Sequence, residues 1–125
     1  MIKVSYDRTC NTLIIEFIGT IDAAQAEHSF LEVKKVLPKQ AKGFKLLTDF
    51  TLAESMDIEI KEPIEKAMNF LNERGVTEIL RVIPDPAVDI GFNILSAFHY
   101  SKKVAVLTLQ SRKEAEAKLR GREAV

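Results

Sequence analysis

Hydrophobic and polar positions alternate in two short segments at the start of the chain. Ile2–Tyr6 and Thr12–Gly19 have the two-residue period of β-strands, and the short polar connection between them predicts an antiparallel hairpin. Asp22 and Gln25 then form the pattern of a capping box, which predicts that a helix begins there. We expect this helix to end before Pro38, because proline cannot continue it.

The rest of the chain alternates apolar strands with segments of helical periodicity. The predicted strands are Phe44–Phe50, Ile79–Ile83 and Val104–Leu109, and the predicted helices begin near Pro63, Asp89 and Ser111 and end near Gly75, Tyr100 and Gly121. Such alternation requires crossover connections and a mainly parallel sheet. We therefore predict a single layered α/β domain over residues 1–125, with about five strands, an antiparallel N-terminal hairpin and about four helices.

Composition excludes several classes of protein. The chain of 125 residues has 18 basic and 18 acidic side chains, so it lacks the positive charge of a nucleic-acid-binding protein. Cys10 is the only cysteine, which excludes an internal disulfide and a cysteine-based metal cluster. No apolar run is long enough to insert into a membrane, and the first residues lack the apolar core of a signal peptide. We expect a cytoplasmic protein.

The element order resembles that of the STAS domains, the family of bacterial anti-sigma-factor antagonists. The segment Phe44–Asp57, with the sequence FKLLTDFTLAESMD, strengthens the resemblance, and Asp49 matches the aspartate that ends the third strand of that family. The resemblance implies a STAS-like fold and a role in protein interaction. In the family, a serine of an Asp-Ser-Ser-Gly motif at the next helix start accepts phosphate from a partner kinase. Here Ile58–Ile60 occupies the Ser-Ser-Gly places and Ser55 precedes Asp57, so the chain resembles a divergent branch without the phosphoacceptor.

Four aspartates are candidates for chemistry. Asp49, Asp85 and Asp89 fall at or just beyond the predicted carboxyl ends of strands, and Asp57 follows in a loop. Ligands bind at that edge of open α/β sheets, and carboxylates there can hold Mg²⁺ or transfer protons. The alternative is that they are helix caps and turn residues, which local geometry alone favours. We favour this alternative and expect no metal, no cofactor and no catalytic residue.

Arg81 is a charged residue in the middle of an otherwise apolar strand. An unpaired buried charge is costly, so the side chain must reach the solvent or pair with an acid on a neighbouring strand or helix. The functional alternative is a site for the phosphate or carboxylate of a ligand.

The predicted helix Ile90–Tyr100 has no Asp, Glu, Lys or Arg, although such residues make up 29% of the chain. A surface helix of a monomer has a broad charged face, so this helix is either buried in the domain or covered by a partner. We favour a partner, namely a second copy of the chain. The candidate residues for binding a partner or ligand are Arg81, Asp85, Asp89, Phe92, Asn93, Ser96, Ala97 and Tyr100.

Three functions follow from these patterns. The first is a non-enzymatic STAS-like interaction or regulatory module that acts as a homodimer and binds a regulatory protein. The second is a protein that binds a small apolar or lipid-like ligand between the Ile90–Tyr100 helix and the sheet. An enclosed apolar cavity of several hundred cubic ångströms would favour it. The third is a magnesium-dependent enzyme that uses Asp49, Asp57, Asp85 and Asp89.

Overall fold

Five strands form one mixed sheet in the computed structural model, which describes residues 1–84 and 103–123. The strands are β1 (Ile2–Asp7), β2 (Thr12–Ile21), β3 (Lys45–Met56), β4 (Glu78–Val82) and β5 (Ala105–Leu109). They lie side by side in chain order. β1 runs antiparallel to β2, and the other neighbouring pairs are parallel. The prediction of a mainly parallel sheet with an N-terminal hairpin is confirmed.

Helices cover both faces of this sheet. The described residues contain three α-helices, α1 (Ala23–Val36), α2 (Lys61–Glu73) and α3 (Arg112–Glu123), and a 3-10 turn at Ile58–Ile60 precedes α2. α1 and α2 pack on one face, and α3 packs on the other. The remaining predicted helix, Ile90–Tyr100, lies outside the described residues.

The capping box predicted at the start of α1 is present. The Asp22 carboxylate accepts the Gln25 amide at 2.8 Å, and the Gln25 side chain accepts the Asp22 amide at 3.2 Å. Two of the unpaired donors at the helix start are thereby satisfied. The helix ends at Val36, and Leu37 leaves it in an extended conformation before Pro38. Local sequence therefore determines both ends of α1.

The larger of two apolar cores lies between the sheet and helices α1 and α2. Alternate residues of β2 enter it, and the rings of Phe17 on β2 and Phe50 on β3 stack with centroids 4.5 Å apart. A smaller core on the opposite face joins the sheet to α3. Its buried members are Cys10, Leu47, Leu80, Val82, Leu109, Ala115 and Leu119. β3 and β4 are thus buried on both faces, as parallel strands in layered folds usually are.

β3 is longer than predicted. It continues to Met56, so the expectation that it ends at Phe50 and continues as a loop was wrong. Its pairing with β4 stops at Asp49, and beyond that point it pairs only with β2 among the described strands. We call the segment Phe50–Met56 the β3 overhang. It is a strand because β2 supplies its pairing partners. β2 continues past its predicted end at Gly19 and reaches Ile21.

The last helix also differs from the prediction. Ser111 accepts the Glu114 amide at 3.2 Å through its hydroxyl, as the capping pattern indicated. However, α3 does not stop at Gly121 and continues to Glu123. Glycine inside a helix costs about 1 kcal/mol relative to alanine, which weakens the helix without ending it.

Candidate functional site

Most of the predicted binding residues lie in a part of the chain that the structure does not describe. Arg81 is described, whereas Asp85, Asp89, Phe92, Asn93, Ser96, Ala97 and Tyr100 lie outside the described residues. The described part of the candidate site consists of Arg81, Asp49 on β3, Asp57 in the following turn, and the junction between β3 and α2.

Arg81 lies in β4 with its side chain on the sheet face that α1 and α2 cover. It is only 2% exposed, so of the two structural alternatives for Arg81, extension of the side chain to the solvent is excluded. Its partner in the register of β3 is Thr48. Residues paired in this way on adjacent parallel strands project to the same face about 4.8 Å apart. A guanidinium-bearing side chain and a hydroxyl are thus held next to each other inside the domain.

Thr48 and Arg81 both line a small cavity between the sheet and α2. The remaining walls are apolar and include Ile15, Phe17, Leu46, Phe50, Met68 and Leu71. The cavity has a volume of about 50 Å³, whereas pockets for drug-sized ligands measure roughly 300–1,000 Å³. Within the described part of the chain, Thr48 Oγ1 is buried without a hydrogen-bond partner. The cavity is too small for a lipid-like molecule, but it contains a polar group that an occupant could satisfy.

Asp49 lies within β3 rather than at the end of a strand, so its predicted position was wrong. It is 8% exposed, and its Oδ1 atom accepts the Thr51 amide at 2.9 Å and the Thr51 hydroxyl at 2.6 Å. Its Oδ2 atom accepts a hydrogen bond from Arg112 Nη1 at 3.1 Å. Both carboxylate oxygens are therefore engaged in joining parts of the fold.

Arg112 is the centre of a wider charged cluster. Its Nε atom lies 3.1 Å from Glu116 Oε1 on the same helix, and its Nη1 atom lies 3.8 Å from Glu16 Oε1 on β2. One guanidinium thus contacts acids from β2, β3 and α3, which attaches the start of α3 to the sheet. The cluster neutralises Asp49 instead of leaving it available for Mg²⁺.

Asp57 lies in the turn after β3 and is exposed. Its amide donates to the Ile21 carbonyl at 3.0 Å, and its carbonyl accepts the Ile60 amide at 3.2 Å. The interpretation of Asp57 as the cap of α2 is wrong, because the N-cap is Ile60, and no side-chain capping hydrogen bond is present there. The seven residues of the β3 overhang separate Asp57 from Asp49 in extended conformation, a distance of about 20 Å or more. Among residues 1–84 and 103–123, no three His, Cys, Asp or Glu side chains are grouped for metal binding.

The junction between β3 and α2 has no hydroxyl at the helix start. Ile58–Ile60 forms the turn that leads into α2, and Ser55 lies upstream on the β3 overhang. The Ser55 hydroxyl is 3.2 Å from Thr20 Oγ1, to which it donates a hydrogen bond. Ser55 thus belongs to the sheet and not to a helix N-terminus.

The β3 overhang presents side chains that sequence reasoning missed. Thr51, Leu52, Glu54 and Ser55 are exposed, and Leu52 is the most exposed large apolar residue of those described, at 62%. We had predicted a loop here. The available signal was the continued alternation of β2 through Thr20 and Ile21, which gives the overhang its pairing partner.

Comparison with known proteins identifies the fold. No protein-family model matches the chain, and no curated protein matches it in sequence. Solved structures do match. The anti-sigma factor antagonist SpoIIAA in its unphosphorylated form superposes with a TM-score of 0.69 at 15% identity, over 97% of this chain and 99% of that one. The chain has the SpoIIAA-like fold.

Two further structures agree with this conclusion. Phosphorylated SpoIIAA from Bacillus matches with a TM-score of 0.66 at 16% identity, and the match covers 96% of this chain and 100% of that one. An uncharacterised DUF3478-family protein with a SpoIIAA-like fold, from Shewanella loihica PV-4, matches with a TM-score of 0.66 at 10% identity, over 95% and 92% of the two chains. The predicted STAS-like fold is confirmed.

The helices of the described residues are too short or too polar to cross a membrane. In residues 1–84 and 103–123, none combines the length and the apolar content that a membrane-spanning helix needs.

Proposed function

We propose that this chain is a non-enzymatic regulatory module that acts by binding another protein. The observation that carries the proposal is the match to SpoIIAA over almost the full length of both chains. SpoIIAA is an anti-sigma factor antagonist, and an antagonist of a protein acts through contact with a protein. By analogy, the partner of this chain is a protein of the anti-sigma-factor type.

The β3 overhang is the surface that we assign to this contact. It places Leu52, 62% exposed, beside the exposed Glu54 and Ser55. It also leads directly into the β3–α2 junction, where the STAS resemblance places the regulatory serine of that family. An apolar side chain surrounded by polar ones is a common arrangement at protein interfaces.

Binding to purified anti-sigma factors of the source organism, measured by isothermal titration calorimetry, tests the proposal. Leu52→Glu should weaken binding at least tenfold, because it places a charge in the contact. Leu31→Glu is the matched control, since Leu31 is a leucine of α1 that is 54% exposed and far along the chain from the overhang. Failure of every anti-sigma factor to bind, or equal loss in both variants, would contradict the proposal.

We also propose that the module is a homodimer joined through the segment Ile90–Tyr100. Support comes from the sequence, in which this segment has no Asp, Glu, Lys or Arg. Closed two-fold dimers are the commonest soluble assemblies, and a shared apolar surface is the simplest way to cover such a segment. A charge introduced there would be buried once in each subunit.

Light scattering on the purified protein tests the dimer. Asn93→Arg and Ala97→Glu should each give a folded monomer with a near-native circular dichroism spectrum, and Leu31→Glu should remain dimeric. An unfolded Ala97→Glu variant would indicate that the segment packs inside its own domain. A wild-type monomer, or variants that stay folded and dimeric, would also contradict the proposal.

The other two functions receive less support from the described residues. The cavity under α2 measures about 50 Å³, well below the volume that a lipid-like ligand requires. Of the aspartates invoked for an enzyme, Asp49 is engaged by Arg112 and Thr51.

A further inference from the structure

The cavity under α2 combines two polar groups with apolar walls. Thr48 and Arg81 are neighbours across β3 and β4, and both line it. The other lining residues carry no side-chain oxygen or nitrogen, and Met68 on α2 is one of them. An occupant would therefore meet hydrogen-bonding groups on the sheet side and hydrocarbon or thioether elsewhere.

The two polar side chains can both act as donors. Thr48 Oγ1 is buried and, within residues 1–84 and 103–123, has no hydrogen-bond partner. A buried hydroxyl without a partner is destabilising, so an acceptor placed beside it would recover a lost interaction. A guanidinium carries five N–H donors. Arg81 can thus serve an occupant in addition to the interaction that it already makes.

Chemistry and size together select the occupant. A water molecule has two hydrogens of its own, and among the lining side chains only Thr48 offers an oxygen that could accept one of them. A carboxylate only accepts hydrogen bonds, and those that it receives from a guanidinium are charge-assisted and stronger than bonds between neutral groups. An apolar cavity of about 150 Å³ holds benzene, so one of about 50 Å³ suits a molecule of a few heavy atoms.

We propose that Thr48 and Arg81 form a binding site for a short-chain carboxylate of the size of acetate or propionate. The carboxylate receives hydrogen bonds from the Thr48 hydroxyl and the Arg81 guanidinium, and the alkyl group occupies the apolar part of the cavity. The site lies between the sheet and α2 and shares only Phe50 with the β3 overhang, and propionate binding there does not require the proposed protein partner.

The methyl groups of methionine provide the test. The chain has three methionines, of which Met68 lines the cavity and Met1 and Met56 do not. In protein labelled with ¹³C at the methionine methyls, titration with sodium propionate should shift the Met68 resonance saturably and leave the other two unchanged. Propanol, acetamide and sodium chloride at the same concentrations should have no such effect. A Met68 resonance that does not respond, or that responds equally to propanol, would overturn the proposal.

Thr48→Val tests the role of the hydroxyl, because valine keeps the shape and removes the donor. Propionate should bind this variant about tenfold more weakly, as expected for loss of a hydrogen bond to a charged group. Without propionate, the variant should be at least as stable as the wild type, since it removes an unpaired buried hydroxyl. Unchanged propionate binding, or a loss of stability that indicates a structural water on Thr48, would contradict the proposal.

Discussion

Arg112 Nη1, on the first residue of α3, lies 3.1 Å from Asp49 Oδ2 in the interior of β3. The other oxygen of the same carboxylate accepts the amide of Thr51, in the bulge at which β3 separates from β4. One aspartate thus fixes both the position of α3 and the start of the β3 overhang. Its role is structural, which explains why an acid is buried at this position.

We predict that Asp49→Ala lowers the free energy of unfolding by about 2 kcal/mol or more. The substitution leaves the Thr51 amide and the Arg112 guanidinium without their shared acceptor. Urea denaturation followed by circular dichroism measures the change. The control is Glu116→Gln, which removes a partly exposed charge from the same arginine and should cost less than about 0.5 kcal/mol. Similar losses in the two variants would show that Asp49 has no special role.

Asp22 and Asp57 differ in their roles, because Asp22 caps a helix and Asp57 lies in a turn. Asp22→Ala should lower the free energy of unfolding by about 1 kcal/mol, because it removes the side-chain acceptor of the α1 capping box. Asp57→Ala should change it much less, since the α2 N-cap is Ile60. Thermal and urea unfolding of the two variants provide the comparison. A larger loss for Asp57→Ala would indicate a contact of its carboxylate that the described residues do not reveal.

Ser55 should not accept phosphate from kinases of the anti-sigma class. Such kinases act on a serine at a helix start in the STAS family, whereas Ser55 lies on a β-strand with its hydroxyl directed to Thr20. Incubation with these kinases and ATP, followed by mass spectrometric mapping, should detect no modification at Ser55. A STAS-family protein that carries the Asp-Ser-Ser-Gly motif, incubated in parallel with its partner kinase, is the positive control. Stoichiometric phosphate on Ser55 would show that the strand opens to present it.

Divalent metal ions should not stabilise the protein. If the aspartates are structural, added Mg²⁺, Ca²⁺ or Mn²⁺ should leave the melting temperature almost unchanged. A ligand at about 100 times its dissociation constant would add about 2.7 kcal/mol to the free energy of unfolding. A saturable rise of the melting temperature by several degrees that is lost in Asp85→Asn would contradict this prediction. It would make a magnesium-dependent enzyme the favoured function.

The elements that sequence predicted well depend on neighbouring residues. The hairpin of β1 and β2, the capping box at Asp22 and the end of α1 before Pro38 each need only a few adjacent positions. Polar and apolar alternation over such distances reports directly on local backbone geometry. The order of strands and helices then restricted the fold to a layered α/β domain.

The β3 overhang was not predictable in the same way, because its strand character depends on a distant partner. In Thr51–Met56 three of six residues are polar and do not alternate with the apolar ones, which suggests a loop when the segment is considered alone. It becomes a strand by pairing with the end of β2, about 35 positions earlier in the chain, as in the Thr20–Ser55 pair. Pairing over that distance leaves no periodic signal in Thr51–Met56 itself, and the one sequence signal is the continued alternation at the end of β2.

The partners of the buried charged residues were also not predictable, because they lie far away in the sequence. The sequence required that Arg81 find a partner or reach the solvent, and it predicted a turn role for Asp49, but it identified no partner for either residue. Asp49 pairs with Arg112, which is 63 positions away. Arg81 is buried beside Thr48, and only the register of β3 and β4 brings the two together. The candidate residues from Asp85 to Tyr100 lie outside the described part of the chain and stay predictions.

The spatial order of the strands, which is the same as their order in the chain, has a consequence for synthesis. As the chain leaves the ribosome, each new strand can join an edge that already exists, and no later strand has to insert between two earlier ones. The face covered by α1 and α2 can therefore close early. The opposite face, with Leu47, Leu80 and Val82, is covered by α3, which is made after all five strands. Until then a growing chain exposes an apolar sheet surface, and the binding of a ribosome-associated chaperone should be strongest at that stage.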